Sequence, residues 1–520
     1  MNSETRFLCV IFAIVVTLFF LSLSVPVFGD SLGYGYQTTN WIRNNGFTPF
    51  AAGDGKGEQA MGHPTLFFWI WALLSGLLGN YLWVARLLPA IATFFCLWGM
   101  YRLGRLLSCS MAGWLSAFAL LASPLFITQA LRPMPESAVT AAVIWSIYYY
   151  RKAEYFKAAV LCTLAVVFRE QAIFLAGSYF VAELLQTGVK KPLRLLLFLS
   201  PALVILVTGL INLGVNGYFL FPTYMGEGSQ LEPGWLMHRL RLFGSHLIAE
   251  DFRWLPVTAA LAGMLRGRGR DTYTLPFVFI LLFPALIYPP ERIVFLIFVT
   301  AVLAVYLFRE RGIHGRTFAV FVFLPVFIVL FHVFIVLVSP DSALNLFRYV
   351  LPAYPVILLG TIVMLFRYFS RRTAFFICCL YIISTAIANR SIHHEYQPDT
   401  SLACLGLLQD YKEAALYAVS LGDTVLVSGI DKEYFSNPAL GVVDSPVPSR
   451  NILGSQPLLE EGVEYTLVVS SFMLAGGNIQ ISKNLVPPGS ELVLLQEHRW
   501  SRGTNTIEIY RVLPRDTASQ

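Results

Sequence analysis

The chain consists largely of apolar runs separated by short polar connections, and this pattern restricts the fold more than any other feature. A helix needs roughly 20 apolar residues to cross a bilayer, and somewhat fewer inside a bundle. Hydrophobic residues make up 56% of the 520 residues and charged residues only 13%, which excludes an ordinary soluble enzyme. We therefore predict an α-helical polytopic membrane protein with about 13 transmembrane helices. The predicted helices span residues 7–28, 82–101, 112–130, 136–150, 156–168, 171–187, 194–213, 253–265, 273–289, 292–308, 317–338, 350–368 and 373–390.

Basic residues cluster at alternate connections between these runs. The clusters are YRLGR (101–105), RKAEYFK (151–157), KKPLR (190–194), RGRGR (266–270), FRERGIHGR (308–316) and RYFSRR (367–372). The connections between them have a different character and lie at 132–137, 169–171, 214–252, 288–292 and 339–349. Short connections rich in Lys and Arg remain in the cytoplasm. The pattern therefore predicts a cytoplasmic N-terminus, an outer loop at 214–252 and an extracytoplasmic C-terminal region.

The segment PTLFFWIWALLSGLLG (64–79) is apolar but does not fit this alternation. If it crossed the membrane, every basic connection after it would move to the outer side. It is short, and it carries Trp69 and Trp71 as an interfacial helix does. We therefore predict a first outer loop at 29–81 that contains interfacial helices.

The last part of the chain changes from long apolar runs to short β-branched runs such as DTVLVSG and NTIEIYRV. Residues 396–520 hold 8 basic and 14 acidic residues, and 401–422 reads as a helix. We predict a transmembrane domain at 1–395 and a small soluble α/β domain on the outer face at 396–520. The latter has no GxGxxG, phosphate-binding loop or nucleophile elbow.

Charged residues collect at the predicted outer ends of the helices, where burial near the membrane makes them expensive. Carboxylates together with arginines suit an anionic substrate that is attacked by a deprotonated nucleophile. Each residue also has a structural interpretation: Glu136 could favour a helix N-terminus, Arg169 and Glu170 could form an ion pair, and Asp54 and Glu58 are expected to be solvated loop charges. The candidate site residues are Asp30, His63, Arg132, Glu136, Arg169, Glu170, Arg348 and Tyr349.

Four stretches resemble the polytopic glycosyltransferases of superfamily C. They are VPVFGDSLGYGYQTTNWIRNNG, GHPTLFFWIWALLSGLLGNYLWVARLLPAI, SPLFITQALRPMPESAVTAAVIWSIYYYRKA and LFRYVLPAYPVILLG. The branch with the greatest similarity contains protein O-mannosyltransferases, lipid A aminoarabinose transferases and related bacterial sugar transferases. This resemblance implies a polyprenyl-phosphate-linked sugar as donor and a reaction on the outer face.

The resemblance also implies roles for single residues. The first-loop acid, which acts as catalytic base or binds the acceptor, corresponds to Asp30, although many members have Asp-Glu where this chain has Asp30-Ser31. The second acid corresponds to Glu136, and the basic residue after the fifth helix to Arg169. The remaining correspondences are His63 before Pro64 and the pair Arg348-Tyr349.

We therefore predict an inverting membrane glycosyltransferase with Asp30 as base and a glycan, lipid or protein as acceptor. It would lie in the plasma or inner membrane if the organism is bacterial or archaeal. No cofactor or nucleic-acid partner is predicted, and no ligand spacing indicates a divalent metal. Two alternatives remain at this stage: a lipid-linked sugar flippase or transporter, and a catalytically inactive assembly subunit of the same fold.

Overall fold

A computed structural model describes most of the helical part of the chain and the core of the C-terminal region. The described residues are 2–24, 27, 31–46, 64–79, 82–187, 190–216, 219, 252–266, 317, 319–321, 323–328, 347–388, 404–428, 433–440, 442–451, 465–470, 491–500 and 505–513. The predicted helices at 273–289 and 292–308 lie outside these residues, and the one at 317–338 lies only partly within them.

The described residues are mostly helical, as the apolar runs predicted. The α-helices are α1 (Ser3–Leu23), α2 (Gln37–Asn44), α3 (Leu66–Leu78), α4 (Leu82–Leu107), α5 (Ser110–Ala122), α6 (Pro124–Ala130), α7 (Glu136–Arg151), α8 (Tyr155–Phe168), α9 (Ile173–Thr187), α10 (Pro192–Asn216), α11 (Trp254–Arg266), α12 (Tyr354–Tyr368), α13 (Arg371–Ala388), α14 (Cys404–Ser420) and α15 (Glu433–Ser436). A π-helical turn spans Ser31–Tyr36, and 3₁₀ turns span Glu170–Ala172, Phe347–Ala353 and Pro438–Leu440.

Four of the described helical segments are long and apolar enough to cross a membrane. They are Ser3–Leu23, Trp83–Leu107, Pro192–Gly214 and Arg348–Tyr368, and the bent pair of α5 and α6 would make a fifth. Large apolar side chains on their outer faces are exposed, such as Phe20 at 64% and Leu203 at 60%. These surfaces are suited to contact lipid, and the chain is an integral membrane protein.

The predicted helix at 112–130 is interrupted, which corrects the prediction of one continuous helix. α5 ends at Ala122, and α6 starts at Pro124 with a bend of 76° between the two helices. Ser123 has an extended backbone with ψ of 123°, because the ring of a following proline disfavours the helical conformation. The bend turns the chain into the buried connection at 131–135.

The first helix also ends earlier than predicted, at Leu23 rather than at residue 28. Its C-cap is Ser24, whose hydroxyl donates a hydrogen bond to the carbonyl of Leu21 at 2.8 Å. Asp30 is therefore further along the chain from the end of α1 than the sequence suggested.

Three of the basic connections lie at one end of the helical bundle. Arg102 Nη1 lies 2.6 Å from Glu4 Oε1 near the start of α1, and Arg102 Nη2 donates to Tyr148 Oη at 3.2 Å. Arg194 Nη1 donates to Tyr155 Oη at 3.3 Å. These contacts link 190–194 to 151–157, and 101–105 to the part of α7 that leads into 151–157, so the three connections share one end as the charge alternation requires. The same end holds Glu154, whose pKa is lowered by hydrogen bonds from Lys157 and Lys152.

Helices α4 and α5 approach each other closely through two glycines. A Cβ built on Gly104 would lie 2.8 Å from Gly113 Cα, and one built on Gly113 would lie 2.5 Å from the carbonyl oxygen of Tyr101. Small residues allow this backbone approach between membrane helices. The two glycines therefore allow α4 and α5, which correspond to the second and third predicted helices, to pack with their backbones in close contact.

The C-terminal region contains a mixed five-stranded sheet with the order β2-β1-β3-β5-β4. The strands are β1 (Thr424–Ser428), β2 (Ser449–Asn451), β3 (Tyr465–Ser470), β4 (Glu491–Trp500) and β5 (Asn505–Leu513). β1 pairs in parallel with β2 and β3, and β5 pairs antiparallel with β3 and β4. Phe435 and Val427 from this region share one buried cluster with Phe68, Trp71 and Met134. The sheet unit therefore packs at the end of the bundle opposite to the three basic connections.

Candidate functional site

Glu136 and Arg348 form a buried ion pair at the bundle end that faces the sheet unit. Glu136 is the first residue of α7, and Arg348 lies in the 3₁₀ turn before α12. Arg348 Nε is 3.4 Å from Glu136 Oε1, and each side chain is only 3% exposed. Pro352 lies inside the turn that carries Arg348 and cannot donate a backbone hydrogen bond. The pair joins two segments that are distant in sequence.

Tyr349 connects this ion pair to Arg169. Arg169 Nη2 donates to Tyr349 Oη at 2.7 Å. The guanidinium carbon of Arg169 lies 4.8 Å from the centre of the Tyr349 ring, and that of Arg348 lies 5.3 Å from it. Both distances are within the range of a cation–π interaction. The structure thus brings four of the predicted site residues into one buried cluster, Glu136, Arg169, Arg348 and Tyr349, which we call the arginine–tyrosine cluster.

Local backbone geometry explains why Arg169 points into this cluster. Arg169 is the C-cap of α8 and has an extended backbone, with φ −158° and ψ 124°. The chain then forms the 3₁₀ turn Glu170–Ala172 before α9 begins. Glu170, also a predicted site residue, is buried in that turn. The sequence suggested an ion pair of Arg169 with Glu170 as the structural interpretation. The structure shows a different partner for Arg169, the aromatic residue Tyr349 from a distant segment.

Arg132 is buried in the connection that follows the helix bend. Only 7% of its surface is exposed, and its backbone N–H donates to the carbonyl of Gln129 at 3.3 Å. The connection is closed by a further turn, in which the N–H of Met134 donates to the carbonyl of Arg132 at 2.9 Å. The sequence-predicted residue is therefore held at the same bundle end as Glu136.

Arg86 is a buried charge that the sequence analysis missed. It lies in the first turns of α4 with 1% exposure, and its Nη1 donates a hydrogen bond to the carbonyl oxygen of Leu131. Arg132, a like charge, and Tyr434 of the sheet unit lie near it. The signal was an arginine inside the apolar run LWVARLLPAI. This residue was treated only as part of the predicted helix at 82–101. A charge in such a run is a candidate functional residue by default.

Asp30 and His63 lie outside the described residues, as do Asp54 and Glu58. The described residue before Asp30 is Val27, which is 1% exposed, and the one after it is Ser31, which is 0% exposed. Among the residues that the structure describes, no group of three or more His, Cys, Asp or Glu side chains could hold a metal ion.

An apolar cavity of about 490 Å³ runs along helices α3, α4, α7 and α8. Phe67, Ala138 and Phe168 line it toward the end that carries the arginine–tyrosine cluster, and Trp98 and Tyr149 line it toward the other end. Phe168 directly precedes Arg169, and Ala138 is two residues after Glu136. One end of the cavity therefore lies beside the charged residues of the candidate site.

Comparison with known families identifies the region that contains most of this site. Residues 62–211 match the model of a family described as dolichyl-phosphate-mannose-protein mannosyltransferase. This match confirms the predicted family resemblance. Over these residues, which include Arg86, Arg132, Glu136 and Arg169, the chain is similar to the membrane glycosyltransferases of superfamily C.

Two solved structures of glycosyltransferases also align with nearly the whole chain. ArnT from Cupriavidus metallidurans bound to undecaprenyl phosphate is 14% identical, and the alignment covers 98% of each chain with a TM-score of 0.49. The arabinofuranosyltransferase AftD from Mycobacteria is 16% identical with a TM-score of 0.41, and the alignment covers 98% of this chain and 40% of AftD. No curated protein sequence matches the chain significantly.

Proposed function

We propose that this chain is an inverting membrane glycosyltransferase that moves a sugar from a polyprenyl-phosphate donor to an acceptor hydroxyl. The observation that carries the proposal is the buried arginine–tyrosine cluster at one end of an apolar cavity. Two arginines and one carboxylate leave one net positive charge there. Such a site suits a phosphate that is attached to a hydrocarbon chain.

The family description and the cavity support the proposed donor class. Dolichyl phosphate mannose, which that description names, is a sugar on a polyprenyl phosphate. In the proposed complex the prenyl chain lies against apolar side chains such as Ile91, Phe95 and Trp145, which line the cavity. Its phosphate then reaches the cluster at Arg169, next to Phe168. Burial of hydrocarbon would contribute affinity, and the arginines would fix the position of the phosphate.

In the proposed reaction the acceptor oxygen attacks the anomeric carbon from the side opposite to the phosphate. The acceptor hydroxyl gives its proton to Asp30, the new carbon–oxygen bond forms, and the bond between the anomeric carbon and the phosphate oxygen breaks. Inversion at the anomeric carbon follows from this single displacement. Arg169 and Arg348 stabilise the negative charge that develops on the leaving polyprenyl phosphate.

Glu136 has a different proposed role from Asp30. Its carboxylate holds the guanidinium of Arg348 in place, and its second oxygen is suited to accept a hydrogen bond from a sugar or acceptor hydroxyl. Arg132 and Glu170, which are buried near the same end, are proposed to line the donor or acceptor site. The same role is proposed for His63. The acceptor class stays a glycan, a lipid or a protein on the outer face.

The deciding experiment uses purified full-length protein in vesicles with a radiolabelled polyprenyl-phosphate sugar. Transfer of the label to an acceptor, or its slow hydrolysis to free sugar, is the expected result. Movement of the intact lipid-linked sugar between leaflets without chemistry would instead identify a flippase. Saturable donor binding with neither reaction would identify an inactive assembly subunit. Either of the last two results would overturn the proposal.

A further inference from the structure

Two hydrogen bonds connect the sheet unit to the segment that follows α1. Tyr434 Oη donates to the carbonyl oxygen of Val27 at 2.5 Å. Asn437 Nδ2 donates to Tyr36 Oη at 2.9 Å. Tyr434 and Val27 are 2% and 1% exposed, and Tyr36 is 7% exposed. The contact is therefore largely buried.

The two acceptor residues stand on either side of Asp30 in the sequence. Val27 precedes it by three positions, and Tyr36 follows it by six. The two donors come from one compact element, because Tyr434 lies in α15 (Glu433–Ser436) and Asn437 is the next residue. One short helix thus holds both flanks of the segment that carries the proposed base.

The same short helix also reaches the connection before α7. Tyr434 lies near Arg86, and Arg86 donates to the carbonyl of Leu131 beside Arg132. Phe435 is fully buried in the cluster that contains Met134 and Trp71. The sheet unit is consequently attached both to the segment around Asp30 and to the connection that leads into Glu136.

We propose that Tyr434 and Asn437 are positioning residues through which the C-terminal sheet unit fixes Val27 and Tyr36, the described residues that flank Asp30 in the sequence. The role of Asp30 as base rests on the proposed function, whereas the contact of the sheet unit with residues 27–36 does not. A base must lie within hydrogen-bonding reach of the proton that it removes. Loosening either flank of Asp30 would therefore lower turnover more than donor binding.

The test compares Tyr434→Phe and Asn437→Ala with Tyr510→Phe in the full-length protein. Tyr510 lies in β5, and its hydroxyl donates to Glu508 within the same strand, so this control removes a hydroxyl from the sheet unit away from the contact. We expect kcat to fall by about 2- to 10-fold in each test variant, the scale of one lost hydrogen bond. The KM for the donor should change by less than twofold. Tyr510→Phe should have the parent kcat.

Hydrogen–deuterium exchange of the peptide that covers 27–36 supplies a second measurement that does not depend on activity. We expect faster exchange in Tyr434→Phe and Asn437→Ala than in the parent and in Tyr510→Phe. Unchanged exchange, or an equal fall of kcat in all three variants, would overturn the positioning role. Faster exchange together with no transferase activity in the parent would leave the contact in place and refute the proposed function instead.

Discussion

The guanidinium of Arg348 and the carboxylate of Glu136 face each other at 3.4 Å in a region that is almost closed to solvent. Burial of one charge alone would be strongly unfavourable. Each group therefore depends on the other, although α7 and the turn before α12 come from distant parts of the chain. This dependence makes the pair a sensitive point for folding and, under the proposed function, for donor binding.

A double-mutant cycle on Glu136→Gln and Arg348→Ala should show strong coupling. Either single change leaves the opposite charge buried, and the loss of stability should be about 3–5 kcal/mol. The double variant should lose less than the sum of the two single losses. Unfolding of the purified protein in detergent measures both. Lys157→Ala, which breaks an exposed pair with Glu154, is the control and should not change stability measurably. Additive losses in the cycle would contradict the coupling.

Tyr349→Phe should weaken donor binding without disturbing the fold. The variant removes the hydroxyl that accepts from Arg169 Nη2, and it keeps the ring that both guanidinium groups face. Without this hydrogen bond the Arg169 guanidinium is no longer held at the proposed phosphate site, and donor affinity should fall by roughly 10-fold, the scale of one hydrogen bond to a charged group. Equilibrium binding of a polyprenyl phosphate measures the change. Tyr368→Phe, at the opposite end of α12 beside Arg367, should bind like the parent, and equal losses in both variants would exclude a local role for Tyr349.

Asp30→Asn should abolish most turnover and preserve donor binding. The amide is nearly isosteric with the carboxylate but cannot take the proton of the acceptor. Loss of a general base typically costs about 100-fold or more in rate. Single-turnover assays with saturating donor separate this effect from binding. Asp54→Asn is the matched control in the predicted first outer loop and should be mild. Near-normal turnover in Asp30→Asn would refute its assignment as base and make Glu136 the next carboxylate to test.

Single cysteines should be labelled from opposite sides of the membrane at positions 152 and 445. Lys152 and Ser445 are both exposed, and they lie at the two opposite ends of the bundle. The concentration of Lys and Arg at the end that contains Lys152 predicts that this end is cytoplasmic. Labelling of intact cells with a membrane-impermeant maleimide, in a background without the native cysteines, should therefore modify Ser445→Cys only. The reverse result would invert the topology and place the candidate site inside the cell.

Gly113→Ala should destabilise the bundle, whereas Gly214→Ala should not. A methyl group on Gly113 would meet the carbonyl oxygen of Tyr101 at 2.5 Å, and nothing lies within 4 Å of a methyl group on Gly214. Overpacking of this kind costs about 1–3 kcal/mol. Alanine at the open helical position should be neutral or favourable, since glycine has the lower helix propensity. Thermal unfolding in detergent compares the two, and equal stability would show that α4 and α5 can separate without cost.

The bounds of a helix were predicted most accurately where charged residues lie at both of its ends. Residues 136–150 and 156–168 were predicted as helices, and the structure has Glu136–Arg151 and Tyr155–Phe168. Charges resist burial in lipid, so they mark helix ends clearly. The bend before Pro124 was not predicted, because the hydropathy of a run does not show a change in the direction of the helix axis. The proline itself was a signal that could have indicated the bend.

The partners of the buried charges could not be predicted from the sequence. Charge alternation placed Glu136, Arg169 and Arg348 on one side of the membrane but contained no information on which side chains meet. The pairing of Glu136 with Arg348, and of Arg169 with Tyr349, depends on how the helices pack. Arg86 was overlooked for a related reason: its buried hydrogen bond to the carbonyl of Leu131 comes from the connection that the missed bend creates.

The short lengths of α7 and α8 have a consequence for the surrounding bilayer. With 16 and 14 residues these helices are about 24 Å and 21 Å long, whereas α4 has 26 residues and is about 39 Å long. A hydrocarbon core is about 30 Å thick, so the two short helices do not span it fully. Where a helix of such length contacts lipid, the bilayer thins locally or flanking residues extend to match it. Most of α7 is buried by protein, so other helices rather than lipid cover its short span, and the carboxylate of Glu136 at its first residue is enclosed by protein on the way into the bundle.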